Sequence, residues 1–282
     1  MADFSAKTQL FSRAQEWVVS LDHTLEQSGS LLGFGSRSGV PVVLKISRKL
    51  GDEWHSGDVL RAYRGNGTVR VLESDAGAVL LERLIPGDQL VELVRQGNDE
   101  DATRILARVM RAMSNHLAPA HCPTVLDWSR GFDRYLETSD TSVPNDLVLE
   151  ARDLYLSLAN SQKQTMLLHG DLQHYNVLFD SNRGWVAIDP KGVVGELEYE
   201  VGAILRNPVE QPDFFISPEV IEHRVKIMVE ELELDYRRVL EWSFAQAVLS
   251  AIWDIEDGFP GPPDHHTFKL AQSTKTLLRQ DL

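Results

Sequence analysis

Cysteine is nearly absent from this chain. Cys122 is the single example in 282 residues, so no internal disulfide can form and a disulfide-stapled secreted framework is excluded. Long apolar runs are missing too, and none approaches the roughly 20 residues a membrane helix needs. The chain also lacks a basic excess: 28 Lys and Arg stand against 42 Asp and Glu, a net charge of −14. That balance argues against nucleic acid or an anionic membrane surface as the main partner. A Gly-x-x-x-x-Gly-Lys-Ser/Thr phosphate loop is absent, which argues against a P-loop kinase. No His-x-His or His-Glu-x-x-His occurs either, so the dense ligand grouping of a metal hydrolase is missing. The opening Met1–Ser5 has no basic segment leading into an apolar run, and the expected location is the cytoplasm.

What is present falls into two unlike halves. Residues 4–19 place Phe4, Leu10, Phe11, Trp17, Val18 and Val19 among polar residues, which predicts an amphipathic helix. Short apolar segments then alternate with Gly/Ser turns up to Leu84, the pattern of antiparallel hairpins. One helix interrupts them, Asp52 to Arg64, stopped by Gly65-Asn66-Gly67. A five-stranded sheet with one helix is expected over residues 20–84. Within it Lys45 sits inside Val40-Pro41-Val42-Val43-Leu44-Lys45-Ile46, where an ammonium group needs a partner. Nucleotide phosphates and a helix glutamate would supply one; Glu53 is the first candidate for that glutamate and Asp58 the reserve.

Ile85-Pro86-Gly87 breaks the strand pattern. We expect a hinge at 85–87, an N-terminal nucleotide-binding lobe at 1–84 and a C-terminal catalytic and substrate-binding lobe at 88–282. The second lobe reads as mostly helical. Asn98 precedes Asp99-Glu100-Asp101 as a cap with an acidic first turn, and Ile105, Leu106, Val109, Met110, Met113 and Leu117 follow at helical spacing. Further helices are expected over 146–159, 218–232, 236–256 and in the tail.

The chemistry concentrates in His169-Gly170-Asp171-Leu172-Gln173-His174-Tyr175-Asn176, flanked by apolar runs. Asp189 follows eighteen residues after Asp171, at the end of Trp185-Val186-Ala187-Ile188. This spacing sets carboxylates and an amide oxygen at the ends of neighbouring strands, a donor set for a hard, phosphate-bound Mg2+. It is also the skeleton of a phosphoryl-transfer loop followed by a second metal-binding Asp. In that reading Asp171 orients the acceptor hydroxyl and takes its proton, Asn176 and Asp189 hold the metal, and Lys45 holds phosphate. His169 reads as scaffolding and His174 as an exposed loop residue.

These residues, with Ile188-Asp189-Pro190-Lys191-Gly192-Val193-Val194-Gly195-Glu196, Arg206-Asn207-Pro208, Leu80 to Gly87 and Trp242 to Gly258, resemble the aminoglycoside phosphotransferase superfamily. The resemblance covers about residues 25–258 and is greatest to the streptomycin 6-kinase and hydroxyurea phosphotransferase family. It implies an α+β, bilobal protein-kinase-like fold and transfer of phosphate from ATP, with Mg2+, to a hydroxyl of a small molecule. Streptomycin-like aminoglycosides and hydroxyurea are the acceptors it suggests. The backbone of Glu82, Arg83 and Leu84 would contact adenine, and an acidic acceptor cleft would lie among Glu196, Glu200, Asp254, Glu256 and Asp257. A cationic acceptor suits the negative chain. A sugar or amino-alcohol kinase of the same fold, and a catalytically silent nucleotide-binding module, are the competing readings. Two features depart from the protein-kinase pattern: Asp-Pro-Lys replaces Asp-Phe-Gly, and residues 28–39 do not spell Gly-x-Gly-x-x-Gly.

Overall fold

The structure, a computed structural model, describes residues 2–27, 29–48, 52–258 and 266–280. Its first part is a twisted antiparallel sheet. Helix α1 (Ala2–Glu16) leads into β1 (Ser20–Glu26), β2 (Ser30–Arg37) and β3 (Val40–Ser47). A 3-10 turn (Asp52–His55) and α2 (Ser56–Tyr63) follow, then β4 (Val71–Asp75) and β5 (Ala78–Glu82). The strand order is β1-β2-β3-β5-β4, so the Lys45 strand β3 is central. Alternation along the strands sends Val42, Leu44 and Ile46 to one face, where they pack with Leu10, Ala14 and Leu31. Lys45 points to the other face.

The Gly/Ser segment 28–39 turns out to be mostly strand. Gly35 faces Leu21 across the β1–β2 pair, and a Cβ there would lie 2.0 Å from the Ser20 carbonyl oxygen. Close strand approach is what that glycine serves. Ser38 and Gly39, both at positive φ, turn the chain into β3.

After β5 the chain enters β6 (Pro86–Gln89), α3 (Val91–Arg95), α4 (Asp99–Met113), α5 (Val125–Trp128), α6 (Arg130–Leu136) and α7 (Asn145–Asn160). The region around Asp171 comprises β7 (Met166–Leu168), a 3-10 turn (His174–Asn176), β8 (Val177–Asp180), β9 (Gly184–Ala187) and β10 (Val193–Gly195). Helices α8 (Leu197–Leu205), α9 (Pro212–Phe215), α10 (Pro218–Leu232), α11 (Tyr236–Glu256) and α12 (His266–Gln280) complete the second part. Two small sheets hold the loop from both sides: β10 pairs with β7, and β8 lies between β6 and β9.

The segment after β5 is pinned to the second part. Asp180 Oδ2 accepts from the Ile85 N–H at 3.0 Å, and the Ile85 carbonyl accepts from Ser181 N–H at 2.8 Å. The Ile85–Pro86 peptide is cis.

Helix α4 departs from expectation at both ends. Asn98 makes no side-chain cap; instead the Asp99 carboxylate accepts from the fully buried Arg224 of α10, at 2.6 to 3.2 Å. At the other end the helix stops at Met113, and Leu117 is 92% exposed rather than part of the apolar stripe. Arg224 also donates to the carbonyls of Asn207 (2.7 Å) and Ile204 (3.3 Å) at the end of α8. A buried guanidinium tolerates burial only when paired and hydrogen-bonded throughout, and this one thereby fixes the backbone that carries Arg206.

Candidate active site

Lys45 is 3% exposed and its Nζ lies 3.0 Å from Asp189 Oδ1. The central strand of the sheet and the end of the β9 strand therefore meet at an ion pair. Asp189 has φ +57°, a left-handed conformation that Asp tolerates better than branched residues. The turn that follows is tied back by Lys191 and Gly192, whose N–H groups donate to the His169 carbonyl at 2.9 and 3.0 Å. Glu53 lies in the 3-10 turn before α2, but its side chain is outside the described residues.

His169 acts as the internal strut of the loop. Its Nδ1 accepts from the Asp171 N–H at 3.2 Å and its Nε2 faces the Ile188 carbonyl at 2.8 Å. That pair of partners requires the neutral Nε2–H tautomer. Asn176 commits its amide nitrogen to the Asp171 carbonyl at 2.9 Å, so its side-chain oxygen is the atom available to a metal. Its own carbonyl accepts from Ile188 N–H at 2.8 Å. One network thus holds Asp171, Asn176 and Asp189 in register.

Sequence reading missed Arg206. Its Nη2 lies 3.8 Å from Asp171 Oδ1, and its Nη1 donates to Gln246 Oε1 at 2.7 Å. The Arg-Asn-Pro run was a visible signal, but only the fold brings Arg206 beside Asp171.

A cavity of about 590 Å³ opens between the sheet and β8. Leu32, Val43, Leu81, Leu178 and Ile188 give it apolar walls; Lys45 and Asp189 stand at one end, and Glu82, Arg83 and Leu84 form an edge. Shape and polarity suit a purine with its phosphates directed at the lysine. Glu82 turns its carboxylate elsewhere, to the Arg70 N–H at 2.8 Å and to Arg183. The Arg83 N–H is taken by the Pro41 carbonyl at 3.2 Å. Arg83 stacks its guanidinium 5.1 Å over Phe34 at the cavity mouth.

A second cavity, about 310 Å³, adjoins the loop on the other side and is lined by Asp127, Trp128, Arg134, Lys191, Trp253, Glu256 and Asp257. A methyl at Gly170 would lie 2.9 Å from Trp128 Cη2 and 3.5 Å from Lys191 Cβ; these walls therefore abut the residue next to Asp171. Trp128 and Trp253 meet edge to face at 5.6 Å. Of the five residues expected to form an acidic cleft, Glu256 and Asp257 line this cavity, and Glu256 pairs with Arg134 at 3.2 Å. Asp127 and the two tryptophans were not foreseen, although Thr124-x-x-Asp127 spells the capping box of the helix that carries Asp127 and Trp128.

Three expected residues do not join them. Asp254 is half-buried and outside the cavity lining. Glu196 is 4% exposed, accepts from Arg238 Nε and Trp242 Nε1, and borders a different cavity of about 540 Å³. Glu200 is 3% exposed and accepts from the Gly170 N–H at 3.0 and 3.2 Å and the Leu172 N–H at 3.3 Å. Burial raises the Glu200 carboxyl above its ordinary range, and the loop N–H groups pull it partly back. The expected place of Glu196 and Glu200 in an acidic acceptor cleft is thus corrected: these two carboxylates face backbone and side-chain donors because α8 starts there and turns them inward. His174 is likewise buried, not exposed, and burial lowers its pKa well below the ordinary value.

The family described as aminoglycoside/hydroxyurea antibiotic resistance kinase matches residues 17–258. Streptomycin 3''-kinase of Klebsiella pneumoniae is 33% identical over 252 residues, covering 86% of this chain and 91% of that protein. Hydroxyurea phosphotransferase of Kitasatospora aureofaciens is 30% identical over 227 residues, covering 76% of this chain and 62% of that one. Among solved structures, a thermostable aminoglycoside phosphotransferase APH(4)-Ia in ternary complex with AMP-PNP and hygromycin B superposes with a TM-score of 0.65. It shares 16% identity, over 97% of this chain and 98% of that chain. The fold is accordingly the α+β, protein-kinase-like fold. No helix among the described residues is long and apolar enough to cross a membrane. The chain belongs to the aminoglycoside/hydroxyurea antibiotic resistance kinase family and is a phosphotransferase of that family.

Proposed function

We propose that the chain transfers the γ-phosphoryl group of ATP to a hydroxyl of a cationic, streptomycin-like aminoglycoside. The observation that carries this is the meeting of Lys45 and Asp189 at 3.0 Å, beside a loop in which Asp171 and Asn176 are locked together. Residues 1–84 form the nucleotide lobe in this reading, 85–87 the hinge and 88–282 the catalytic and acceptor lobe. The cavity between sheet and β8 takes the nucleotide, with Lys45 on its phosphates and the backbone of residues 82–84 along the base. Asn176 and Asp189 would hold Mg2+, whose charge would neutralise phosphate oxygens.

Asp171 accepts a hydrogen bond from the acceptor hydroxyl, aims its oxygen at the phosphorus and receives the proton late in the transfer. Arg206 holds the Asp171 carboxylate in orientation. Positioning and charge compensation carry the catalysis, as in phosphoryl transfer generally. The acceptor enters by the smaller cavity, where Trp128 and Trp253 offer faces to a ring or a guanidinium and Asp127, Glu256 and Asp257 offer charge. Streptomycin-class compounds, which are named for the relatives, fit that chemistry; hydroxyurea is the neutral alternative named for another relative.

A coupled ADP-release assay tests the proposal, with streptomycin and hydroxyurea as acceptors. Turnover on streptomycin is expected, abolished by Asp171→Asn while nucleotide affinity stays within about twofold, since that residue does not touch the nucleotide phosphates. Turnover unchanged in Asp171→Asn would sink the assignment of the base, and turnover on hydroxyurea alone would sink the cationic acceptor.

A further inference from the structure

Away from both cavities, His55, Asp58 and His121 form a cluster that phosphoryl transfer does not use. One ligand atom from each lies within 4.8 Å of the other two. His55 Nδ1 stands 3.7 Å from Asp58 Oδ2, and the two imidazole rings are 4.5 Å apart, centroid to centroid. All three side chains are exposed. The cluster joins distant parts of the chain: His55 ends the 3-10 turn before α2 and Asp58 lies in the first turn of α2, whereas His121 is in the loop between α4 and α5. That loop belongs to the second part of the fold and α2 to the first.

We infer that His55, Asp58 and His121 bind a transition-metal dication of the Zn2+ or Co2+ type, bridging the two parts of the fold. Two imidazoles and one carboxylate are a borderline-soft donor set, which selects such ions over Mg2+ with its preference for oxygen and water. A tetrahedral ion at roughly 2.0–2.1 Å from each ligand requires ligand atoms about 3.3 Å apart. Closing from 4.8 Å takes movements on the order of 1 Å, within reach of exposed side chains. The fourth position stays open to water.

The placement gives the ion a mechanical consequence. Val59, next to Asp58, and Cys122, next to His121, both pack on the turn after Asp189: a Cβ on Gly192 would lie 2.5 Å from Val59 Cγ2 and 3.4 Å from Cys122 Sγ. A dication at the cluster therefore ties α2 to the α4–α5 loop just where both lean on that turn, and restrains their separation.

Co2+ titrated into the full chain in excess Mg2+ tests the inference, read by its visible absorption and by calorimetry. One equivalent should bind, be displaced by Zn2+, and raise Tm. His55→Ala and His121→Ala should each weaken binding by about tenfold or more, the scale on which even outer partners of metal ligands act. Cys122→Ser should bind as the unsubstituted protein does. Absence of stoichiometric binding, full affinity in either histidine variant, or loss confined to Cys122→Ser would overturn it. None of these readouts depends on phosphate transfer, so the site stands or falls apart from the proposed activity.

Discussion

Two acidic stretches of this chain have similar composition and opposite fates. Glu196 and Glu200, at the start of α8, are buried and bonded inward; Glu256 and Asp257, at the end of α11, are exposed at the mouth of the smaller cavity. The difference lies in what each stretch finds beside it. The first meets hydrogen-bond donors, namely the N–H groups of Gly170 and Leu172, the Trp242 indole and the Arg238 guanidinium. The second meets solvent and, at Glu256, the Arg134 guanidinium. Carboxylates of the first kind hold the protein's shape, and those of the second are open to a ligand.

The sharpest way to break this contrast is at Glu196. Glu196→Ala leaves the Arg238 guanidinium and the Trp242 indole N–H without their shared acceptor in a buried setting. Removing one partner of a buried ion pair costs about 3–5 kcal/mol. The urea midpoint should fall accordingly, while KM for acceptor and nucleotide stays unchanged. A large rise in acceptor KM at full stability would place Glu196 in the acceptor site after all.

Glu200 comes next, because its effect falls on turnover. Glu200→Gln keeps shape and one oxygen but replaces the charged acceptor Oε2, 3.2 Å from the Gly170 N–H, with an amide donor. A lost charge-assisted hydrogen bond of about 1.5–3 kcal/mol loosens the loop under Asp171. Slight misplacement of a catalytic group costs about 100-fold, so on the role proposed for Asp171 kcat should fall by about that factor with little change in KM. Stability behaves differently. Folding raises this carboxyl above 4.5 by burying it, so its favourable contribution is complete below pH 4.5 and is lost as pH rises through the folded value. The stability of the unsubstituted protein relative to Glu200→Gln should therefore decline as pH rises from below 4.5, measured by urea unfolding across that range. A constant difference would mean that Glu200 is not buried as a titrating acid.

How far the sequence disclosed these roles follows from the reach of its signals. The alternating strands around Lys45, the helices expected over 146–159, 218–232 and 236–256 and the spacing from His169 to Asn176 are local patterns, and local patterns were legible. Lys45, Asp171, Asn176 and Asp189 could be singled out because each is a polar residue where an apolar or turn residue is the rule. Arg206, Trp128 and Arg134 carry no such local oddity. They reach the loop through packing between helices far apart in the chain, and no periodicity records that. Glu196, Glu200 and His174 were misplaced for the same reason: polar residues in a Gly-bounded or loop segment read as exposed, and only tertiary neighbours decide otherwise. Glu200 finds loop N–H groups. His174 is buried among apolar groups and near Arg224, which together lower its pKa.

The smallest expected effects belong to the exposed pair, and there the two residues should differ from each other. Glu256 is already partly neutralised by Arg134 at 3.2 Å, whereas Asp257 makes no ion pair among the described residues. Its charge is thus the more available to a cationic acceptor. Exposed charge pairs are worth about 0.2–1 kcal/mol, which corresponds to a KM rise of up to roughly fivefold for Asp257→Asn and less for Glu256→Gln. Screening gives the check: at 0.15 M salt the Debye length is about 8 Å and at 1 M about 3 Å. The Asp257→Asn effect on the KM of a cationic aminoglycoside should fade over that range, and the ATP KM should not move. A salt-independent rise would mean that Asp257 shapes the cavity wall instead of attracting charge, and Arg134→Ala should then fail to lower the acceptor KM. If attraction is the mechanism, Arg134→Ala frees Glu256 and lowers it.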